Sequence, residues 1–172
     1  FTRDVSDGKD VNRSFPGHLN GSLASRVARI LTKKILPQAD VAIDFHTGGS
    51  ARYNYPQIRY SKKDPVAAQM AFNTNLRYLI EQPLIKSSFR RAASDMKVPA
   101  IVYEGGESIR LDRLSIESGI ETIKSQLSAL GMADGFNVTP PAEQWIIHKT
   151  SWIRASVPGL FIWSKKAGEM VS

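Results

Sequence analysis

The chain reads as an α/β protein, and three observations predict that class. Two apolar strand-like runs, Val41-Ala42-Ile43 and Val98-Pro99-Ala100-Ile101-Val102-Tyr103, each end in a functional residue type followed by paired glycines. Two amphipathic helical patterns, from Ser22 and from Leu114, accompany them. Helical and strand periods alternate along the chain, as a sheet covered by helices requires.

Residues 1 to 20 are polar and rich in Asp, Gly and Asn, the composition of a loop. Within them lies Asp10-Val11-Asn12-Arg13-Ser14-Phe15-Pro16-Gly17. Pro16-Gly17 is turn chemistry, and Phe15 can anchor the loop by burying its ring. Asn12-Arg13 sets an amide donor beside a guanidinium, a pair that suits a carboxylate. A loop tied down by Asp10 and Arg13 explains the same residues.

From Ser22, a fitting N-cap, Leu23, Val27, Ile30, Leu31 and Ile35 recur at helical spacing until Pro37. This is expected to be a sheet-covering helix without chemistry of its own. The next run, through Ile43, is expected to be a covered strand stopping at Asp44-Phe45-His46-Thr47-Gly48-Gly49. In open α/β sheets, ligands bind beyond the carboxyl ends of strands, where His46 stands. Asp44 and His46 are two apart, so an extended chain puts them on one face. The imidazole is either a metal ligand or a hydrogen-bonded structural histidine.

Gly48 to Tyr60 reads as a loop whose Arg52, Tyr53 and Arg59 line a pocket or lie on the surface. Asp64 and Pro65 open a helix with Val66, Met70 and Ala71 on one face. Residues 75 to 87 are ambiguous between helix and strand, with Leu76, Tyr78, Leu79 and Ile80 apolar enough for core. Ser88-Phe89-Arg90-Arg91-Ala92-Ala93 starts a short helix. The strand that follows ends at Glu104-Gly105-Gly106-Glu107, repeating the punctuation seen at His46. With both strands parallel in one sheet, His46 and Glu104 emerge at the same edge. A glutamate there serves as general base or caps a neighbouring helix.

Leu114 to Leu130 is the second long helix, with Ile116, Ile120, Ile123, Leu127 and Leu130 in register and Gly131 as its stop. Pro140-Pro141 marks a linker. Trp145 to Arg154 and Gly159 to Trp163 read as strands, with His148 a strand residue and not a ligand.

Composition narrows the function. The 172 residues, 42% hydrophobic and 23% charged, suit one soluble domain, with part of a second. The absence of cysteine excludes disulfides and thiolate zinc sites, and is compatible with a reducing, cytoplasmic location. No run is long enough to span a bilayer, so no membrane partner is expected. The net charge of +7 is spread thinly and accompanies no nucleic-acid motif, so an anionic small molecule is the expected partner. The first residue is not methionine and the last lie within β-like sequence, so both ends are expected to be cuts in a longer protein. Oligomeric state is left open.

Taken in order, Asp10 to Gly17, Asp44-Phe45-His46-Thr47, Ser88-Phe89-Arg90 and Glu104-Gly105-Gly106 resemble the succinylglutamate desuccinylase/aspartoacylase family of zinc carboxypeptidase-like hydrolases. The resemblance implies a mixed, mostly parallel sheet flanked by helices over residues 1–138, with the start of a small β domain at 139–172. It implies hydrolysis of the amide bond of an N-acyl amino acid by metal-activated water. His46 then matches a ligand of the single Zn2+, and Glu104 the general base. Arg3 matches a carbonyl-polarising arginine at a different spacing. Asn12 and Arg13 match the substrate-carboxylate pair, and Arg90 adds a substrate contact. The family's other two zinc ligands, a His and a Glu, precede the Asn-Arg element. They have no counterpart here, so the zinc site is expected to be incomplete and the chain inactive alone. The alternatives are a zinc carboxypeptidase acting on peptides and a non-catalytic carboxylate-binding relative.

Overall fold

The apolar run at Ala100-Ile101-Val102-Tyr103 becomes a strand with neighbours on both sides. In the computed structural model, which describes residues 3–50, 52–136, 138–139, 141–160, 162 and 164–170, it is β4 (Ala100–Glu107), buried along all but its last residue. It lies in a sheet with β1 (Ala42–Gly48), β2 (Asn54–Tyr60), β3 (Tyr78–Glu81) and β5 (Trp145–Ile147), ordered β1-β4-β2-β3-β5. β1 runs parallel to β4, β2 to β3 and β3 to β5, and only the β2–β4 pairing is antiparallel. The sheet is thus mixed and mostly parallel.

Side chains alternate across the strands, so the sheet has two distinct faces. On one, Ile58, Tyr60, Leu79, Ile101 and Tyr103 pack against α2 (Pro65–Phe72), whose Ala67, Met70 and Ala71 are buried with them. Asp64 caps α2 by accepting from Ala67 N, and Pro65 sits in the first turn, as the sequence indicates. On the other face, Ala100, Val98, Phe15 and Leu36 pack with Ala92 and Ala93 of α3 (Phe89–Asp95).

Both long helices turn an unexpected side to the sheet. α1 (Leu23–Ile30), capped by Ser22, continues through a π turn at Leu31–Ile35 and a 3-10 turn at Leu36–Gln38. Its buried positions are Ala24, Ala28, Thr32 and Leu36, four residues apart, whereas Ile30 and Ile35 are more than half exposed. α4 (Arg113–Ala129) buries Ser115, Gly119, Thr122, Ser125 and Gln126 and leaves Ile116, Ile120 and Ile123 outward. Gly119 faces the rings of Phe45 and Tyr103, where an added Cβ would make ordinary contact at 3.5 Å from Phe45. The inward hydroxyls bond their own helix: Thr122 donates to Ser118 O and Ser125 to Glu121 O. Gln126 Nε2 donates to Met70 O at 2.9 Å. Hydroxyls satisfied this way are buried without a large penalty, whereas Gln126 Oε1 is buried without a partner.

Further expectations need correction. β1 is not a covered strand but the sheet's edge, with Phe45 46% exposed. The segment read as loop from Gly48 to Tyr60 contains β2, and the ambiguous 75–87 contains β3. Of the strand expected over Trp145 to Arg154, only Trp145–Ile147 forms, as β5 on the β3 edge of the main sheet. Gly159, Leu160 and Ile162 are not in a strand, while Pro140, Phe161 and Trp163 lie outside the described residues. Among the described residues, no helix is long and apolar enough to cross a membrane.

Candidate active site

β1 and β4 run parallel in a register that sets His46 directly beside Glu104. The two residues are 58 positions apart in sequence and adjacent at one sheet rim. Asp44 shares the His46 face, as strand alternation requires, and its Oδ2 lies 2.8 Å from His46 Nε2. That hydrogen bond, reinforced by the charges of Asp44 and Glu104, raises the His46 pKa above its ordinary value despite partial burial. A raised histidine pKa stabilises the fold below the unfolded value of about 6.5, and that contribution is lost as pH rises through the folded value. In Asp44→Asn, the His46 ring should titrate at lower pH by NMR. The stability lost as pH rises from mildly acidic to neutral should then be smaller than in the parent; an unmoved titration would dismiss the pair.

The opening segment comes down on this rim. Asp10 caps a 3-10 turn at Val11–Arg13 by accepting from Asn12 N, and Phe15 is buried edge-to-face on Phe89 with centroids 5.6 Å apart. Gly17, at φ +82, is pressed so closely on Ser25 and Arg29 that no Cβ would fit. These anchors hold Asn12 between two elements: its Oδ1 accepts from Phe89 N at 2.7 Å, and its Nδ2 lies 3.4 Å from His46 Nε2. Arg13 Nη1 donates to Asn12 O at 2.6 Å and remains exposed. Arg3 is paired with Asp10 at 2.6 Å. The Asp10 loop is therefore tied down by Asp10, through Arg3 rather than Arg13, and it places Asn12 and Arg13 in the lining of the cleft.

Arg90 is the exceptional cation. It is 5% exposed, its Nη2 makes one long contact to Pro83 O at 3.3 Å, and its Nη1 has no partner. Burial pushes its pKa below the ordinary value, and the Arg59 charge pushes the same way, while Asp44 and Glu104 oppose. A buried guanidinium nitrogen without a partner is costly, and a carboxylate is a group that could satisfy it.

All six residues singled out from sequence, Arg3, Asn12, Arg13, His46, Arg90 and Glu104, line one open cleft of about 1410 Å³. Two residues that sequence reading had left in a loop also belong there. Asn54 Nδ2 donates to Glu104 Oε2 at 2.7 Å, and Arg59 Nη1 meets Glu104 Oε1 at 3.1 Å. Arg52, Arg110 and Lys166 line the cleft as well, so cations outnumber its acids Asp44, Glu104, Glu107 and Asp112. Such a cleft attracts anions.

Zinc finds less support. Among the described residues, no three His, Cys, Asp or Glu side chains come together as a metal site. A catalytic zinc uses three protein ligands, and the Nε2 of His46 is already engaged by Asp44. These residues do not by themselves fit the ion.

Comparison with known proteins shows a family and a fold. The profile of the succinylglutamate desuccinylase/aspartoacylase catalytic domain matches residues 2–130. An N-alpha-acetyl-L-2,4-diaminobutyric acid deacetylase of Halomonas elongata is 44% identical over 43 residues, covering 25% of this chain and 13% of that protein. The apo ectoine utilization protein EutE (DoeB) of Ruegeria pomeroyi superposes with a TM-score of 0.71 at 21% identity, over 84% of this chain and 47% of that one. A succinylglutamate desuccinylase/aspartoacylase from Rhodobacter sphaeroides gives 0.68 at 25% identity, over 75% and 40%. The chain therefore spans less than half the length of each of these proteins.

Proposed function

Because this chain belongs to the succinylglutamate desuccinylase/aspartoacylase family, we propose that the complete protein hydrolyses the amide bond of a small N-acyl amino acid. The observation that carries the reading is the His46–Glu104 register, with Asn12 against the same imidazole. Glu104 takes the proton from a water molecule at the rim, and the water oxygen attacks the acyl carbonyl carbon. The C–N bond then breaks, and Glu104 returns the proton to the departing amine nitrogen. Asn12, Arg13 and Arg90 hold the substrate's carboxylate, and Arg3 faces the oxygen on which negative charge develops. The deacetylase name carried by the Halomonas elongata relative suggests acetyl as the acyl group.

One Zn2+ ion is proposed as cofactor of the complete protein, with His46 as one ligand. It would supply a polarised, acidified water. A cytoplasmic location is proposed from the cysteine-free composition.

The test is a hydrolysis assay of the complete protein with N-acetyl and N-succinyl amino acids beside short peptides with free carboxyl ends. Turnover of the acyl amino acids, with the peptides untouched, is the expected result. Turnover of the peptides alone would make it a carboxypeptidase, and binding without turnover of any substrate would make it a non-catalytic relative.

A further inference from the structure

We propose that Arg59 and Asn54 are positioning residues that hold the Glu104 carboxylate in its reactive orientation, an inference that rests on the hydrolase reading above. β2 runs antiparallel to β4, so Arg59 stands opposite Val102 and Gln57 opposite Glu104. Opposed residues share a sheet face, and so do residues two apart. Arg59 therefore projects on the same side as Glu104 and reaches its Oε1 at 3.1 Å.

Asn54 would not share that face in a regular ladder. It is three residues from Gln57, whereas its opposite number Gly106 is two residues from Glu104; the register shifts between Asn54 and Gln57. The extra residue is a bulge, and it turns the Asn54 amide onto Glu104 Oε2 at 2.7 Å. Pro56 sits within it, buried, where no amide hydrogen is available to restore regular pairing. Bulges of this kind recur beside active sites, where they re-aim one side chain.

The outcome is a carboxylate with a separate donor on each oxygen. Glu104 is 8% exposed, so few other groups compete for it. An unclamped carboxylate rotates about its last side-chain bond; one gripped at both oxygens presents a single lone-pair direction to the attacking water. Misplacement of a reacting group by about 1 Å can cost on the order of a hundredfold in rate. Arg59 differs here from Arg90. Its charge is spent on Glu104, whereas Arg90 Nη1 is buried without a partner. The two neighbouring guanidiniums thus divide the work, one holding the base and one holding the ligand.

The experiment is a kinetic cycle in the complete protein with one N-acetyl amino acid. Arg59→Gln should lower kcat by about tenfold to a hundredfold and leave KM within about twofold. Arg59→Lys, which keeps a cation, should recover most of kcat. Arg90→Gln should instead raise KM. In a Glu104→Gln background, Arg59→Gln should cause no further loss, because its effect passes through Glu104. A merely structural role would lower both backgrounds equally. Should Arg59→Gln fail to fold, Asn54→Ala takes its place in the same cycle with the same expected kcat loss. A KM rise at unchanged kcat would make Arg59 a substrate ligand and overturn the proposal, as would equal losses in both backgrounds. Full activity in Glu104→Gln would remove the base that Arg59 is proposed to hold, whereas no turnover by the parent protein would sink the hydrolase reading, so the two failures are distinguishable.

Discussion

Glu104→Gln should lower kcat of the complete protein by about a hundredfold to ten-thousandfold, the range associated with removing a general base. Glutamine matches glutamate in size, and its oxygen can still accept from Arg59. Asn54 can turn its amide to present an oxygen in place of its NH2. The packing around β4 is therefore retained, and a circular dichroism melt should show a folded protein. What is lost is the ability to take a proton from water. A variant retaining more than a tenth of parental kcat would remove Glu104 from the chemistry.

Ile101→Ala should cost about 2–5 kcal/mol of stability, read from urea unfolding of the 172-residue chain. Ile101 is fully buried in β4, three positions before Glu104, and packs within the cluster of Ile58, Leu79 and Met70. Removing its branched side chain leaves a cavity between two covered strands that cannot collapse without shifting the ladder. The control is Ile120→Ala on the outward side of α4, 47% exposed, where the cost should stay within about 1 kcal/mol. Equal losses at the two positions would mean that α4 packs by its apolar stripe after all.

The contrast between those isoleucines shows where sequence reading reaches and where it stops. The strand-then-glycine punctuation located His46 and Glu104 and put them on one rim, because strand ends are short-range signals. Caps were equally legible at Ser22 and Asp64, each of which accepts from a backbone amide three positions on. Helix orientation was not. Apolar periodicity pointed α1 and α4 inward by their large residues, but the buried sides carry Ala24 and Ala28 in α1 and Ser115, Gly119 and Thr122 in α4. That preference depends on the partner surface, which one helix does not encode.

β2 was missed for a different reason. Asn54, Pro56, Gln57 and Arg59 are all poor strand signals, and a proline argues against a central strand. The alternation was nonetheless present: Pro56, Ile58 and Tyr60 are buried, with Gln57 and Arg59 between them less so. Weighing that period of two above the residue types would have found the strand, and with it the Arg59 grip on Glu104.

The parallel pairing of β1 with β4 carries a temporal consequence. Imidazole and carboxylate meet only after the intervening β2, α2, β3 and α3 have been laid down between them. Such distant pairings form late, because loop closure must be offset before any contact rewards it. A nascent or partly unravelled chain therefore lacks the His46–Glu104 pair, which assembles only when the intervening elements are in place.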